Sequence, residues 1–401
     1  MGEGAAWAAS SLLKALAMSA IMTIPLQAAG GGRIWLQAFG SDLEAGRAVS
    51  FEAGGAIAGR LRALPGGEFA AIVEPAGGRA RIVRWDAGGR EVGRVELTLL
   101  GKPRDLFVRR DGSAVVVTSE EVALVGAPPG EVRSRRALRG GTLAARAVEP
   151  GETGAWLAYV DSAEGAPLKG RLVYAPLEGE EVTRPLPVMS PPSAACEKEY
   201  PGRECPWTAQ FQGLVPTETG GCVVAEGLVF YHAVGGANET RQLVLTELDA
   251  QGGTRAARTL GEATSSLEWF GSRSSPGNFS IFPGKMFLVR RSYHGYTAFL
   301  NASTKDPGDL LVLVTGTYLK RLGSSLEERW SRFVQPGASP ALSPAWARGV
   351  FLFSGDVFVQ AFDEGGGAER VAPFQPEGYR PSTLHNVVGQ TAAGEWLLAS
   401  Y

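Results

Sequence analysis

Three features of the sequence predict an all-β fold built from repeated four-stranded units. Tight turns rich in Gly, Pro and Asp recur between short runs of β-branched and aromatic residues. The order strand, turn, strand, strand, turn, strand repeats along the chain, and the half unit missing at the C-terminus is present near the N-terminus. Together they predict a seven-bladed β-propeller of four-stranded antiparallel blades, closed by N- and C-terminal strands that share the last blade.

The first hairpin of each unit is recognised by its turn. Gly, Pro and Asp supply the backbone angles that a tight turn needs. The seven turns lie at Pro65-Gly66-Gly67, Asp111-Gly112, Pro150-Gly151, Thr219-Gly220-Gly221, Pro283-Gly284, Trp346-Ala347-Arg348-Gly349 and Ala393-Gly394.

The second hairpins carry the argument for ring closure. Residues 80–97 form the clearest copy, and six such hairpins follow the first six turns. The seventh first hairpin ends the chain with EWLLASY, whereas residues 33–51 have the pattern of a second hairpin and precede every first one. A pair of β-sandwiches is the alternative, but its two chain ends would not need to complement each other.

Two segments resemble the secreted bacterial β-propeller repeat proteins, whose units read roughly FV-x-x-x-D-x-x-G. The segments run from Val357 to Gly365 and from Ile82 to Gly88. The resemblance implies the fold and an exported setting, and the motif itself is structural. Other units have lost the Asp or the Gly.

Residues 1–29 have the features of an export signal. Lys14 precedes an apolar run, Ala15 to Leu26, which is short for a membrane-spanning helix, and small residues follow it. We expect a secreted or periplasmic protein in which residues 30–401 form one domain, with an uncleaved membrane anchor as the alternative. The balance of 39 basic and 41 acidic residues without a dense basic run argues against nucleic acid as a partner. We expect a monomer.

The three cysteines suggest one disulfide and one buried thiol. Cys196 and Cys205 flank a short polar loop, which suits a bridge in an exported protein, whereas Cys222 lies in an apolar run. Their spacing does not suit zinc.

Uneven spacing between the repeats predicts three loop insertions, at 189–208, 262–280 and 292–307. The first two join successive units, and the third is interpreted as joining the two middle strands of unit five. Antiparallel strands reverse direction each time, so both kinds of connection emerge on one face of a propeller. This face, here called the loop face, is the predicted binding surface.

The insertions concentrate aromatic rings and arginines, which suit a sugar or peptide ligand. The alternative is that the rings pack the long loops onto the ring of blades. The candidate ligand-binding residues are Tyr200, Arg203, Trp207, Trp269, Phe270, Arg273, Tyr293, His294 and Tyr296.

Catalytic motifs are absent, and the remaining polar candidates are expected at the central channel. Gln210, Asn278 and His385 lie near the starts of expected inner strands, and Asp105 is the obvious acidic residue there. We therefore expect a non-catalytic propeller that binds a glycan, peptide or protein without a cofactor. A lactonase-like hydrolase with a metal such as calcium in the channel is the alternative.

Overall fold

A computed structural model describes residues 32–401 apart from twenty-one stretches. The expected signal segment, Cys196 and Cys205 lie outside the described residues. The stretches not described are 41–43, 65–66, 110, 128–129, 139–146, 162–163, 166–168, 188–200, 203–206, 218, 232–238, 271–286, 292–297, 303–309, 315–317, 334–337, 340–349, 355–357, 363–367, 380–384 and 391–394.

The described chain is almost entirely β-strand, with one short 3-10 turn at Ser324–Leu326. No helix in the described part is long and apolar enough to cross a membrane. The strands are β1 (Arg33–Phe39), β2 (Ala45–Glu52), β3 (Ala56–Ala63), β4 (Phe69–Glu74), β5 (Arg81–Trp85), β6 (Glu91–Glu96), β7 (Pro103–Val108), β8 (Ala114–Thr118), β9 (Glu121–Val125), β10 (Val132–Ala137), β11 (Ala147–Pro150), β12 (Gly154–Val160), β13 (Glu164–Gly165), β14 (Gly170–Pro176), β15 (Val182–Pro185), β16 (Trp207–Pro216), β17 (Cys222–Tyr231), β18 (Glu239–Leu248), β19 (Thr254–Phe270), β20 (Phe287–Arg291), β21 (Ala298–Ala302), β22 (Leu310–Val314), β23 (Tyr318–Leu322), β24 (Glu328–Phe333), β25 (Ala338–Ser339), β26 (Val350–Ser354), β27 (Phe358–Phe362), β28 (Ala368–Pro373), β29 (His385–Gln390) and β30 (Trp396–Ser400).

These strands form antiparallel sheets of the predicted kind. Five sheets follow chain order, namely β3 to β6, β7 to β10, β11-β12-β14-β15, β21 to β24 and β25 to β28. A sixth has the order β2-β1-β30-β29, and a seventh has six strands in the order β13-β16-β17-β18-β19-β20. Because that last sheet exceeds four strands, the count of seven four-stranded blades stays a prediction.

The sheets stack face to face, which is the packing of a β-propeller. Strand β4 shows the principle, because Phe69, Ala71 and Val73 pack toward β1 and β30 while Ala70 and Ile72 pack toward β7 and β8. Similar apolar layers lie between the next sheets, as far as the interface between β17 and β22. A sheet buried on both faces needs near-continuous apolar strands, and FAAIVE is such a run. The two-sandwich alternative does not produce this series.

The inner strands run side by side at the centre of the stack. Strand β29 lies next to β3, and the series continues through β7, β11 and β16 to β21. Polar side chains of these strands that are not needed in the layers between sheets can face the central channel.

The shared terminal sheet is confirmed. Strand β1 pairs with β30 from Trp35 opposite Ser400 to Phe39 opposite Trp396, so the N-terminal strands complete a sheet begun at the C-terminus. The side-chain oxygen of Gln37 accepts a hydrogen bond from the backbone N–H of Gln375 at 2.8 Å, which links β1 to the connection between β28 and β29.

The Asp-Gly turns have the structural role that the motif implies. The Asp86 side chain accepts hydrogen bonds from the backbone N–H groups of Gly88 and Arg90, at 2.9 and 3.0 Å. Asp249 does the same in the six-stranded sheet. Gly89 follows with φ +78°, a conformation that favours glycine. These aspartates hold turns and are therefore not candidates for catalysis.

Candidate functional site

The loop face is identified by a contact between two neighbouring sheets. Strand β13 lies in the connection between β12 and β14 and pairs with the start of β16, with Glu164 opposite Gln210. The connection between two middle strands and the start of the next inner strand therefore share one face, as strand parity requires. The predicted insertion at 189–208 leads into this end of β16.

The six-stranded sheet is much longer than its neighbours. Strands β16, β17 and β18 have 10 residues each and β19 has 17, whereas the strands of the other sheets have between two and eight. At about 3.3 Å per residue, β19 spans about 56 Å. Its last residues, Ser266 to Phe270, extend past β18 and pair with β20. We call this part, β19 beyond Ser265 together with β20, the ribbon.

The structure differs from the sequence prediction in the segments at 262–280 and 292–307. The segment at 262–280 begins within strand β19, which continues through Phe270. The segment at 292–307 contains strand β21. Residues 287–291, expected to be the second strand of unit five, pair instead with β19. The physical reason is that β19 continues its ladder and takes the apolar run FLVRR as its partner, which shifts the strand count by one.

This shift divides the third predicted insertion between two places. Residues 292–297 lead into β21, the inner strand that lies next to β16, whereas residues 303–309 join β21 to β22. A connection between first and second strands emerges opposite the loop face. Strand parity therefore no longer supports placing 303–309 on the loop face, and most residues of the three predicted insertions lie outside the described part.

Three of the predicted ligand-binding residues lie in strands. Trp207 is half-buried at the start of β16 and packs against the apolar cluster between the sheet β11-β12-β14-β15 and the six-stranded sheet. Trp269 and Phe270 end β19, opposite Leu288 and Phe287. The residues outside the described part are Tyr200, Arg203, Arg273, Tyr293, His294 and Tyr296, together with Asn278 of the channel set.

The other two predicted channel residues lie on inner strands. Gln210 is half-buried on β16 and pairs in register with Glu164 on one side and Gly227 on the other. His385 is the first residue of β29 and lies opposite Ser400.

A network of charged side chains joins the inner strands of three consecutive sheets. Arg60 on β3 donates from its backbone N–H and its Nε to the carboxylate of Asp105 on β7, both at 3.0 Å. Its Nη2 donates to Oε2 of Glu149 on β11 at 2.5 Å. Arg62 donates from Nη2 to the same Asp105 carboxylate at 3.1 Å. Asp105 is thus the common acceptor of two arginines.

Local backbone geometry brings Arg60 to Asp105. The register of β3 against β4 shifts between Ala58 and Arg62, so extra residues of β3 bulge toward the centre. Gly59 sits in this bulge with φ +77°, and a Cβ there would lie 2.3 Å from the Asp105 carboxylate oxygen. Only glycine allows this approach. The C-terminal Tyr401 closes the site by donating its hydroxyl to the carbonyl of Gly59 at 3.2 Å.

The network has a defined electrostatic character. Burial by itself raises the pKa of Asp105, but Arg62 and Arg60 outweigh it and hold the pKa below its ordinary value. Glu149 raises the pKa of Arg60, with Asp105 adding to the effect. Asp105 is 5% exposed, whereas 40% of the Arg60 side chain is accessible. The acidic residue noted in the sequence is therefore committed to ion pairs.

Sequence reasoning missed Arg60, Arg62 and Glu149 as channel residues. Alternation in the strand RLRA places Arg60 and Arg62 on the side away from Leu61, which could have indicated a polar inner face. Their pairing with Asp105 and Glu149 spans 45 and 89 residues of sequence, which no local pattern predicts. Among the described residues, no cluster of three or more His, Cys, Asp or Glu side chains is arranged to hold a metal ion.

A second group that the sequence did not indicate is Glu226 on β17. It is fully buried, and both of its carboxylate oxygens are without a hydrogen-bond partner in the described structure. Burial raises its pKa from an ordinary 4.5 to about 7. Cys222, on the same strand, is buried with a free thiol, as predicted, and burial raises its pKa too.

Comparisons with known proteins give structural neighbours but no family. No protein-family model and no curated protein matches the chain. A solved streptogramin B lyase aligns at 10% identity over 92% of this chain and 98% of that one, with a TM-score of 0.47. BamB from Moraxella catarrhalis aligns at 13% identity over 93% and 92%, with a TM-score of 0.35. The Dos1 propeller aligns at 10% identity over 83% and 75%, with a TM-score of 0.41.

Likenesses of this strength carry no argument about function. The assignment to the β-propeller fold therefore rests on the four-stranded antiparallel sheets, on their stacking and on the pairing of the two chain ends.

Proposed function

We propose that this protein is an exported, non-catalytic binding propeller that holds an extended peptide segment of a partner protein on its loop face. The observation that carries the proposal is the ribbon. Strand β20 is the last strand in the order of the six-stranded sheet, and no further strand joins its outer side within the described chain. An edge strand presents unpaired backbone groups along one side.

Backbone pairing favours a peptide over a glycan as the ligand. An extended peptide continues a β-ladder by donating and accepting main-chain hydrogen bonds, and pockets beside the edge then select its side chains. A glycan has no such repeating backbone. Trp269 and Phe270, which the sequence suggested as ligand contacts, lie on the neighbouring strand β19, opposite Leu288 and Phe287 of β20.

The alternative, a lactonase-like hydrolase with calcium in the channel, has less support. Calcium takes six to eight oxygen ligands, usually including free carboxylates. The Asp105 carboxylate instead accepts from Arg60 and Arg62, and Glu149 accepts from Arg60. Titration of calcium into the purified protein by calorimetry tests this alternative directly. Tight binding that is lost in Asp105→Asn would favour the hydrolase.

Site-specific photo-crosslinking tests the binding proposal. A photoreactive phenylalanine analogue replaces Trp269 in the ribbon, and a matched variant carries it at Val92, an exposed position on outer strand β6. We expect one discrete protein adduct at position 269 and none at 92, followed by binding of the identified partner in purified form. The purified partner should bind Trp269→Ala about tenfold more weakly. Equal labelling at both positions, or unchanged affinity in Trp269→Ala, would contradict the proposal.

A further inference from the structure

A cleft opens on the loop face between the first and second sheets, away from the ribbon. It has a volume of about 360 Å³. Its walls are the connection between β4 and β5 and the connection between β6 and β7, both of which emerge on the loop face. Its apolar lining is formed by the half-buried Leu99 above the buried Leu97 and Pro103, and Glu74, Arg79 and Lys102 stand at its sides.

The connection from β6 to β7 is held rigidly by the next sheet. Leu100 donates its backbone N–H to Oε1 of the buried Glu121 at 2.7 Å, and its carbonyl accepts from the hydroxyl of Thr118 at 2.5 Å. Lys102 donates its backbone N–H to the Ser119 hydroxyl at 2.9 Å and accepts from the Ser119 N–H at 2.9 Å. Four hydrogen bonds thus fix the backbone of two loop residues, Leu100 and Lys102.

This rigid loop presents an apolar side chain to solvent. Leu100 is 52% exposed, more than any other large apolar side chain in the described chain. A lone exposed leucine is ordinary. Here, however, the buried Glu121 carboxylate fixes the backbone of Leu100 beside the cleft. A pre-ordered surface of this kind loses little conformational entropy when a ligand binds.

The charges around the cleft select the ligand. The side chains of Arg79 and Lys102 make no hydrogen bond or ion pair within the described structure, and Glu74 is the single acidic residue of the lining. Glu74 offsets one of the two cations and leaves the lining with a net charge of +1, which beside apolar side chains complements a ligand that carries carboxylates next to an apolar group.

We propose that this cleft binds an acidic peptide segment with an apolar side chain, the latter seated on Leu99 and Leu100 and the carboxylates facing Arg79 and Lys102. The proposal rests on the peptide-binding function above and gives it a second contact surface with its own chemistry. Because both surfaces lie on the loop face, one partner can engage both.

Fluorescence anisotropy with defined peptides tests the cleft without a known partner. The probe is a short fluorescein-labelled peptide of alternating Glu and Leu, compared with the same peptide carrying Lys in place of Glu. We expect binding of the acidic peptide alone, weakening as salt rises. The double variant Arg79→Glu/Lys102→Glu and the variant Leu100→Ser should each bind at least about tenfold more weakly. The matched controls, Arg135→Glu and Val92→Ser, change exposed residues of outer strands and should bind normally.

Three results would overturn the inference. These are equal binding of both peptides, unchanged affinity in both cleft variants, and binding of the cleft to phosphatidylglycerol vesicles in preference to the peptide. Melting temperatures within about 2 °C of the parent protein ensure that the variants are folded. The outcome is separable from that of the proposed function, because the peptide probe reports on the cleft whether or not an adduct forms at position 269.

Discussion

Glu226 makes the folded protein sensitive to pH. It lies on β17 between Val224 and Leu228, opposite Val244 of β18, and these three side chains belong to the apolar cluster between the sheet β11-β12-β14-β15 and the six-stranded sheet. Because side chains alternate along a strand, Glu226 points into the same cluster. Its pKa of about 7 comes from burial alone, without a contribution from any charged neighbour.

The cost of ionising Glu226 follows from that value. In the unfolded chain the carboxyl group has its ordinary pKa of 4.5, whereas the folded state holds the proton up to about pH 7. The stability that the protonated form provides is complete below pH 4.5 and is lost as pH rises through the folded pKa. The full difference corresponds to about 3 kcal/mol, of which about 2.5 kcal/mol falls between about pH 5 and pH 8.

The variant Glu226→Gln isolates this effect. Gln cannot ionise, so the difference in unfolding free energy between the variant and the parent protein should shift by about 2.5 kcal/mol in favour of the variant from about pH 5 to pH 8. Urea unfolding followed by tryptophan fluorescence at both pH values measures it. The control Glu96→Gln, at an exposed position on β6, should show no such shift. A difference between Glu226→Gln and the parent that stays constant with pH would refute the reasoning.

Three further predictions concern ring closure, the thiol and the channel. Deletion of residues 33–51 should make the protein aggregate, because β30 loses its partner strand β1. Size-exclusion chromatography and thermal unfolding measure this. An unchanged melting temperature would contradict the shared terminal sheet. Cys222 should react with a thiol reagent only after denaturation, because burial raises its pKa and shields it; rapid labelling of the native protein would be inconsistent with its position. Asp105→Ala should destabilise by about 3–5 kcal/mol because Arg60 and Arg62 lose their common acceptor. The ion pairs of Asp105 should stabilise the folded state above the ordinary pKa of an aspartate, and this stabilisation should be lost as pH falls through the lowered pKa of the folded state. The difference in unfolding free energy between the parent protein and Asp105→Ala should therefore shrink in acid. A difference that stays constant would contradict the prediction.

The strand pattern and the shared terminal sheet could be predicted because they depend on local signals. Gly, Pro and Asp at a turn fix backbone angles wherever they stand, and the turns at Asp111-Gly112 and Thr219-Gly220 are in place. Complementary half units at the two chain ends likewise predict one sheet, and Trp35 does lie opposite Ser400.

The count of strands through unit five could not be predicted, because the composition of an apolar run does not determine which strand it pairs with. FLVRR at 287–291 has the composition of a second strand of its own unit, yet it pairs with Ser266–Phe270. The choice depends on how far β19 continues past β18, and that is settled by competition between ladders in three dimensions. The strand expected to be the second of unit five is therefore the partner of β19.

The sequence by itself determined the all-β class, the turns and the completion of the terminal sheet, since each follows from residues that are neighbours or from a repeat. The tertiary structure decided the sites. Arg60 meets Asp105 only because three inner strands lie side by side, and Leu100 is held by Glu121 only because two sheets stack. Charge pairing and burial depend on distances in space, and the sequence alone does not give the distance between residues that are far apart along the chain.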